Sequence, residues 1–241
     1  MREALAALGR RLGPYASLWS LLVAGLAVIL ALSWAAGEVY ESVKEHDALA
    51  ALDVPALQYA MSLRTPGLDT AVTLFTDIGG NLGAPIVAAG ATAVLAAVYH
   101  QRLPVILIPA ATVGAFLITF SGKTITGRTR PPLADAVPPY EYSPSFPSGH
   151  TLNGTVIAGV TVYLLGLYLR RVWARVLAIV VGVAYAGAMG LSRVFLGHHW
   201  LTDVVAGWVI GLAWLTAVVL AHRAFRLVRA QRAQAVGSAP S

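Results

Sequence analysis

The chain has no cysteine among its 241 residues. It can therefore hold neither a disulfide nor a thiolate-bound metal, and redox chemistry at sulfur is closed to it. Charge is almost as scarce: 12% of residues are Asp, Glu, Lys or Arg, against roughly 25% in a soluble domain. That shortage excludes an ordinary water-exposed globule. Acidic residues are the rarer sign, 11 against 17 basic ones. What is present instead is apolar: 57% of residues are hydrophobic and mean hydropathy is +0.70.

The apolar residues fall into six charge-free stretches: Leu12 to Gly37, Ile78 to Gln101, Leu103 to Gly122, Thr151 to Leu169, Val176 to Ser192 and Val204 to Ala221. Each is near the roughly 20 residues that a bilayer demands of a helix. Together they leave no room for a separate soluble domain. The expected architecture is all-α: a polytopic six-transmembrane-helix bundle forming one domain over 1–241, with short amphipathic helices on its outer face between Glu38 and Asp69. The first stretch follows Arg10 and Arg11 and ends in Ser33-Trp34-Ala35-Ala36, so a cleaved signal peptide is the alternative. Its apolar run exceeds the roughly 7–15 residues of a signal core, and a retained span is expected.

With both termini in the cytoplasm, Arg2, Arg10, Arg11, Arg102, Arg170, Arg171, Arg175, Arg223, Arg226, Arg229 and Arg232 lie inside. Lys44, Arg64, Lys123, Arg128, Arg130 and Arg193 lie outside. This is the bias of the positive-inside rule. It explains most of the net charge of +6, so no nucleic-acid partner is expected. Residues 1–12 become a cytoplasmic N-terminal segment and 233–241 a disordered tail. Lys123 to Ser148 holds six of the 13 prolines, which forbids a continuous helix and predicts an ordered, irregular outer loop. Gly207 with Gly211, and Ala184 and Ala188 beside Gly187, are expected to serve helix packing. Asp77 is expected to be a helix-end residue at the start of a glycine-rich turn.

Three polar clusters are left over, all on the outer side: Lys123 to Pro131, Pro147 to His150, and Ser192 to Asp203. An ionisable group at membrane depth costs roughly 2.5–3.5 kcal/mol on insertion scales, so several gathered at one level imply a use. If the third helix continues past Lys123, the step to Arg130 is two turns and both cations share a face until Pro131 stops it. Arg193 adds a third cation from the end of the fifth helix. Snorkelling explains a lone arginine, but three outward cations call for an anion, and phosphate fits. Ser148 can cap the fourth helix and leave the Gly149 and His150 amides facing outward, where a helix start attracts anions. His199 and Asp203 are four apart at the start of the sixth helix, so the carboxylate can hold one ring nitrogen and present the other. These are a nucleophile and its orienting group, and His150 from another helix can protonate a leaving oxygen. His198 falls on a different face from Asp203 and reads as a packing residue. A metal at His150, His198, His199 and Asp203 is the competing use, opposed by the neighbouring cations.

The patterns KxxxxxxRP at Lys123 to Pro131, PSGH at Pro147 to His150 and SRxxxxxHxxxD at Ser192 to Asp203 resemble the type 2 phosphatidic acid phosphatase superfamily. The motifs are intact and in order over about 123–203, and the six-span layout extends the likeness along the chain. The resemblance implies that His199 becomes phosphohistidine with Asp203 in support, and that His150 is the general acid. It implies that Lys123, Arg130, Ser148, Gly149 and Arg193 bind phosphate, with no metal and no cofactor. It further implies a bacterial cytoplasmic-membrane lipid phosphatase acting at the outer face on phosphatidic acid, phosphatidylglycerophosphate or a polyprenyl diphosphate. Partners are then the lipid phosphate, reaching the site sideways from the bilayer, and membrane lipids, with no obligate protein partner. The reading from another class is a non-catalytic lipid-phosphate binder or transporter.

Overall fold

The structure, a computed structural model, describes residues 16–47 and 49–237. It is all-helical: α1 (Ala16–Glu45), α2 (Asp53–Ser62), α3 (Pro66–Asp77), α4 (Gly83–Tyr99), α5 (Leu103–Thr126), α6 (Gly149–Tyr168), α7 (Val172–Phe195) and α8 (Leu201–Gly237). Short 3-10 turns sit at Ala50–Leu52 and Leu133–Asp135. Among the described residues, α1, α5, α6, α7 and α8 are long and apolar enough to cross a membrane. The shorter α4 has 17 residues, about 26 Å of helix against a hydrocarbon core of about 30 Å. It completes the expected six, and the chain is an integral membrane protein.

The core is organised around α6. Leu152, Val156, Val160 and Leu164 recur every fourth residue and are fully buried against Ala84 and Ala88 of α4 and Ile108, Ala111 and Ala115 of α5. The alanines on α4 and α5 let the helix axes approach. Helix α6 also packs on α7 and α8, while α1 lies outside along α8. Large apolar side chains on the outer surface, among them Trp34, Ile86, Phe120 and Val183, are exposed, as a lipid-facing surface requires.

Several boundaries differ from the charge-based reading. Helix α5 runs one turn past Lys123 and stops at Gly127, whose φ of 58° is left-handed, a conformation glycine adopts without strain. Arg130 therefore comes from the following loop and not from a shared helical face with Lys123. Helix α8 runs to Gly237, so the tail expected to be disordered is helical as far as it is described, and 238–241 lie outside the described residues. The expected N-terminal segment 1–12, with Arg2, Arg10 and Arg11, also lies outside them. Gly207 and Gly211 do pack: a Cβ on Gly207 would meet the Ser148 carbonyl oxygen at 3.0 Å, and one on Gly211 the Leu152 carbonyl oxygen at 3.2 Å. Ala184 and Ala188 are exposed instead, and a Cβ on Gly187 would meet nothing within 4 Å, so that trio is not a helix seam.

Candidate active site

One end of the bundle gathers buried polar groups, and their order begins with Asp203 in the first turn of α8. This carboxylate is fully buried. Its Oδ2 accepts from the Trp200 backbone N–H at 2.9 Å and from the Ser145 hydroxyl. Its Oδ1 accepts from Arg128 Nη1 at 2.5 Å. Arg128 also bonds Asp53 at 2.7 Å, and Asp53 accepts both the backbone N–H and the hydroxyl of Thr202, at 2.8 and 2.7 Å. A buried charge survives only when paired and hydrogen-bonded, and this chain of two carboxylates around one guanidinium meets that condition.

His199 sits in the turn just before α8, so its link to Asp203 is a pre-helix turn contact and not a pair on one helical face. Its Nδ1 is 3.3 Å from Asp203 Oδ2, long for a hydrogen bond. The ring is 1% exposed. Burial, then Arg130, Arg193 and Lys123, hold it well below the ordinary histidine range, so it is neutral at neutral pH. The carboxylate at Nδ1 favours a proton there, which leaves the lone pair on Nε2; Arg130 Nη1 lies 3.2 Å from that atom and can donate to it.

The cations converge from three elements. Arg130 donates to the His198 carbonyl at 2.6 Å and, through Nε, to the Ser143 carbonyl at 2.7 Å. Lys123, in the last turn of α5, donates to the Ser143 hydroxyl at 3.2 Å and to the Pro144 carbonyl. Arg193, in the last turn of α7 and 1% exposed, donates to the Thr76 hydroxyl at 3.1 Å. Between the two arginines stands Glu141, 2.8 Å from Arg130 and in contact with Arg193. Burial pushes its carboxyl up, but Arg193 and Arg130 outweigh that and hold it well below the usual carboxylate range. The two guanidinium groups thus already clasp an anion.

Lys123, Glu141, Gly149, His150, Asn153 and His199 line a cavity of about 80 Å³, room for two to three water molecules' worth of volume. Gly79 and Asn81 of the turn after α3 close one side. A Cβ on Gly80 would lie 3.4 Å from His150 Nε2, so the imidazole faces that turn. A roomier groove of about 750 Å³ at the opposite end, among Leu107, Phe225 and Arg226, holds none of these groups.

Of the residues nominated from sequence, His199, His150, Lys123 and Gly149 meet at the cavity. Arg130 and Arg193 reach it through Glu141, and Asp203 stands behind His199. Ser148 does not behave as expected: it occupies the position before α6, yet its side chain makes no capping bond. Its hydroxyl accepts from Thr151 at 2.9 Å, and its backbone N–H donates to the Asp203 carbonyl at 3.0 Å. It is buried and ties the start of α6 to the start of α8. His198 is a packing residue, 2.7 Å from the Val137 carbonyl, with burial first and Arg193 second pushing it down to about 4. Glu141, Asp53 and Ser145 had no sequence signal: Glu141 and Ser145 lie in the irregular proline-rich loop outside the three motifs, and Asp53 lies 149 residues from its partner Thr202.

A family model described as the PAP2 superfamily matches residues 87–227. Phosphatidylglycerophosphatase B of Bacillus subtilis (strain 168) is 40% identical over 87 residues, which are 35% of this chain and 41% of that protein. Undecaprenyl-diphosphatase of Sulfolobus acidocaldarius is 35% identical over 78 residues, 32% of each chain. The chain thus spans less than half the length of these relatives. A transmembrane PAP2-type phosphatidylglycerolphosphate phosphatase from Bacillus subtilis has a similar fold: TM-score 0.72 at 24% identity, covering 79% of this chain and 93% of that one. Aquifex aeolicus LpxE aligns with TM-score 0.52 at 21% identity, over 70% of this chain and 94% of its own.

Proposed function

The chain belongs to the PAP2 superfamily, and from that premise we propose that it is a membrane lipid phosphatase that hydrolyses a lipid phosphomonoester or diphosphate through a phosphohistidine. The observation that carries this reading is a neutral, buried His199, backed by Asp203 at Nδ1 and lining a cation-ringed cavity, with Arg130 beside its Nε2. In the first step Nε2 bonds to phosphorus, the bond from phosphorus to the ester oxygen of a monoester, or to the bridging oxygen of a diphosphate, breaks, and His150 gives that oxygen a proton. In the second, water bonds to phosphorus, the nitrogen–phosphorus bond breaks, and His150 takes the water's proton. Arg130, Arg193, Lys123 and the Gly149 amide balance the charge on the transferring oxygens, and Ser148 supports the site through its backbone. The entering phosphate takes the place of the Glu141 carboxylate between the two arginines.

Phosphatidic acid, phosphatidylglycerophosphate and polyprenyl diphosphates are the candidate substrates. We place the site on the outer face of a bacterial cytoplasmic membrane, with both termini inside, on the charge bias of the loops. The test is phosphate release in detergent micelles together with trapping of phosphate on the protein. His199→Ala should abolish both and still bind phospholipid. Release at the parental rate by that variant would refute the mechanism, and a parent that turns over no lipid phosphate would favour a binder or transporter.

A further inference from the structure

Below the cationic rung of the cavity lies a second, uncharged one. Thr119 is one helical turn from Lys123 on α5, and Asn153 is three residues from His150 on α6, so each sits beneath that neighbour on the same face. Both line the cavity. Thr119 is 7% and Asn153 3% exposed. Neither the Thr119 hydroxyl nor the Asn153 carbonyl Oδ1 finds a hydrogen-bond partner among the described residues. The orientation of the Asn153 amide is set, because its Nδ2 donates to the Gly149 carbonyl at 2.9 Å, an acceptor that only the nitrogen can satisfy. Both side chains border the same residue: a Cβ on Gly149 would lie 2.9 Å from the Thr119 methyl carbon Cγ2 and 3.9 Å from Asn153 Nδ2. A turn further along α5, Phe116 also lines the cavity, so its lining passes from cation to neutral polar to aromatic.

Resting on the phosphatase reading, we infer that Thr119 and Asn153 select a leaving group that carries a free hydroxyl next to the phosphate ester, as a phosphorylated glycerol headgroup does. Oδ1 of Asn153 is an acceptor and needs a donor. A substrate hydroxyl donates to it and accepts from the Thr119 hydroxyl, which satisfies both buried groups at once. An ionised second phosphate offers acceptors alone: it faces Asn153 Oδ1 without a proton and adds negative charge on a rung that has no cation. A diacylglycerol leaving group brings no free hydroxyl and leaves both atoms unpaired. A site built to bond a hydroxyl discriminates strongly against an analogue without one, because its own polar groups are stranded.

The test compares kcat/KM for phosphatidylglycerophosphate, phosphatidic acid and a polyprenyl diphosphate with the full chain in detergent micelles. The parent should prefer phosphatidylglycerophosphate by at least about tenfold. Thr119→Val, an isosteric change, and Asn153→Leu should each reduce that preference about tenfold, and Thr119→Ser, which keeps the hydroxyl, should retain it. A parental preference for either other lipid would overturn the inference, as would equal losses on all three lipids in the Thr119→Val protein. A parent that hydrolyses none of them brings down the phosphatase reading itself, a different result from turnover without preference.

Discussion

The two ends of the bundle both carry arginines, and they treat them in opposite ways. At one end Arg102, Arg170, Arg171, Arg175, Arg223, Arg226, Arg229 and Arg232 are all exposed. At the other, Arg64, Arg128 and Arg130 are partly buried and Arg193 is fully so. There each guanidinium is held by carboxylates, carbonyls or hydroxyls. Charge at the first end is exposed and has few fixed partners, such as the Leu169 carbonyl for Arg175 and the Tyr163 ring for Arg223. Charge at the second has lost water and survives through fixed partners, which is the condition under which it acts strongly on a bound anion. The same residue type is thus left at the surface at one end and preorganised at the other.

Matched substitutions at the two ends probe this contrast. The largest expected effect is Asp203→Asn, which removes the charge that fixes the His199 tautomer: kcat should fall by about 10³–10⁴, while a helical spectrum unchanged from the parent would show the bundle intact. Next, Arg128→Ala leaves Asp53 and Asp203 buried without their shared cation and should lower stability by about 3–5 kcal/mol; Arg223→Ala should stay within about 0.5 kcal/mol. Thermal melting in detergent measures both, and equal shifts would erase the distinction. Arg193→Lys keeps the charge but loses the two-armed contact with Glu141 and Thr76, and turnover should drop about 10–100-fold, against less than about twofold for Arg226→Lys.

The most gradual effect is on pH. His198, held at about 4 in the fold, is protonated below about 6.5 when unfolded. The unfolded chain therefore binds the extra proton as pH falls from about 6.5 to 4, and stability present in full above that window is lost through it, by up to about 1.4 kcal/mol per pH unit. Neutral His199 adds to the same slope. His198→Gln should flatten the melting-temperature profile between those limits, and an unchanged profile would place the titration elsewhere.

The architecture was legible because a bilayer imposes one simple requirement, apolar length, that a linear reading detects. It erred where charge and helix end part company. Lys123 closes an apolar stretch but not α5, and Arg223 closes one but not α8, since a helix beyond the hydrocarbon bears arginine at no cost. In the site, His150, His199, Lys123 and the arginines lie in compact motifs whose residue types announce their chemistry. Asp53 does not, for its hydrogen bonds reach Thr202, 149 residues away, and its neighbours in the chain read as a surface helix. Glu141 looked like one more residue in a proline-rich loop until the fold set it between Arg130 and Arg193. Ser148 illustrates the reverse error: the right position before a helix does not make a cap, and its hydroxyl accepts from the Thr151 hydroxyl instead.

Gly207 lies one turn beyond Asp203 with the Ser148 carbonyl against it, where α8, carrying Asp203, crosses the start of α6, carrying His150. The spacing between His150 and the Asp203–His199 pair is therefore gauged by the hydrogen that stands in place of a side chain on Gly207. A single methyl there would act as a wedge driven between the helix that carries Asp203 and the helix that carries His150.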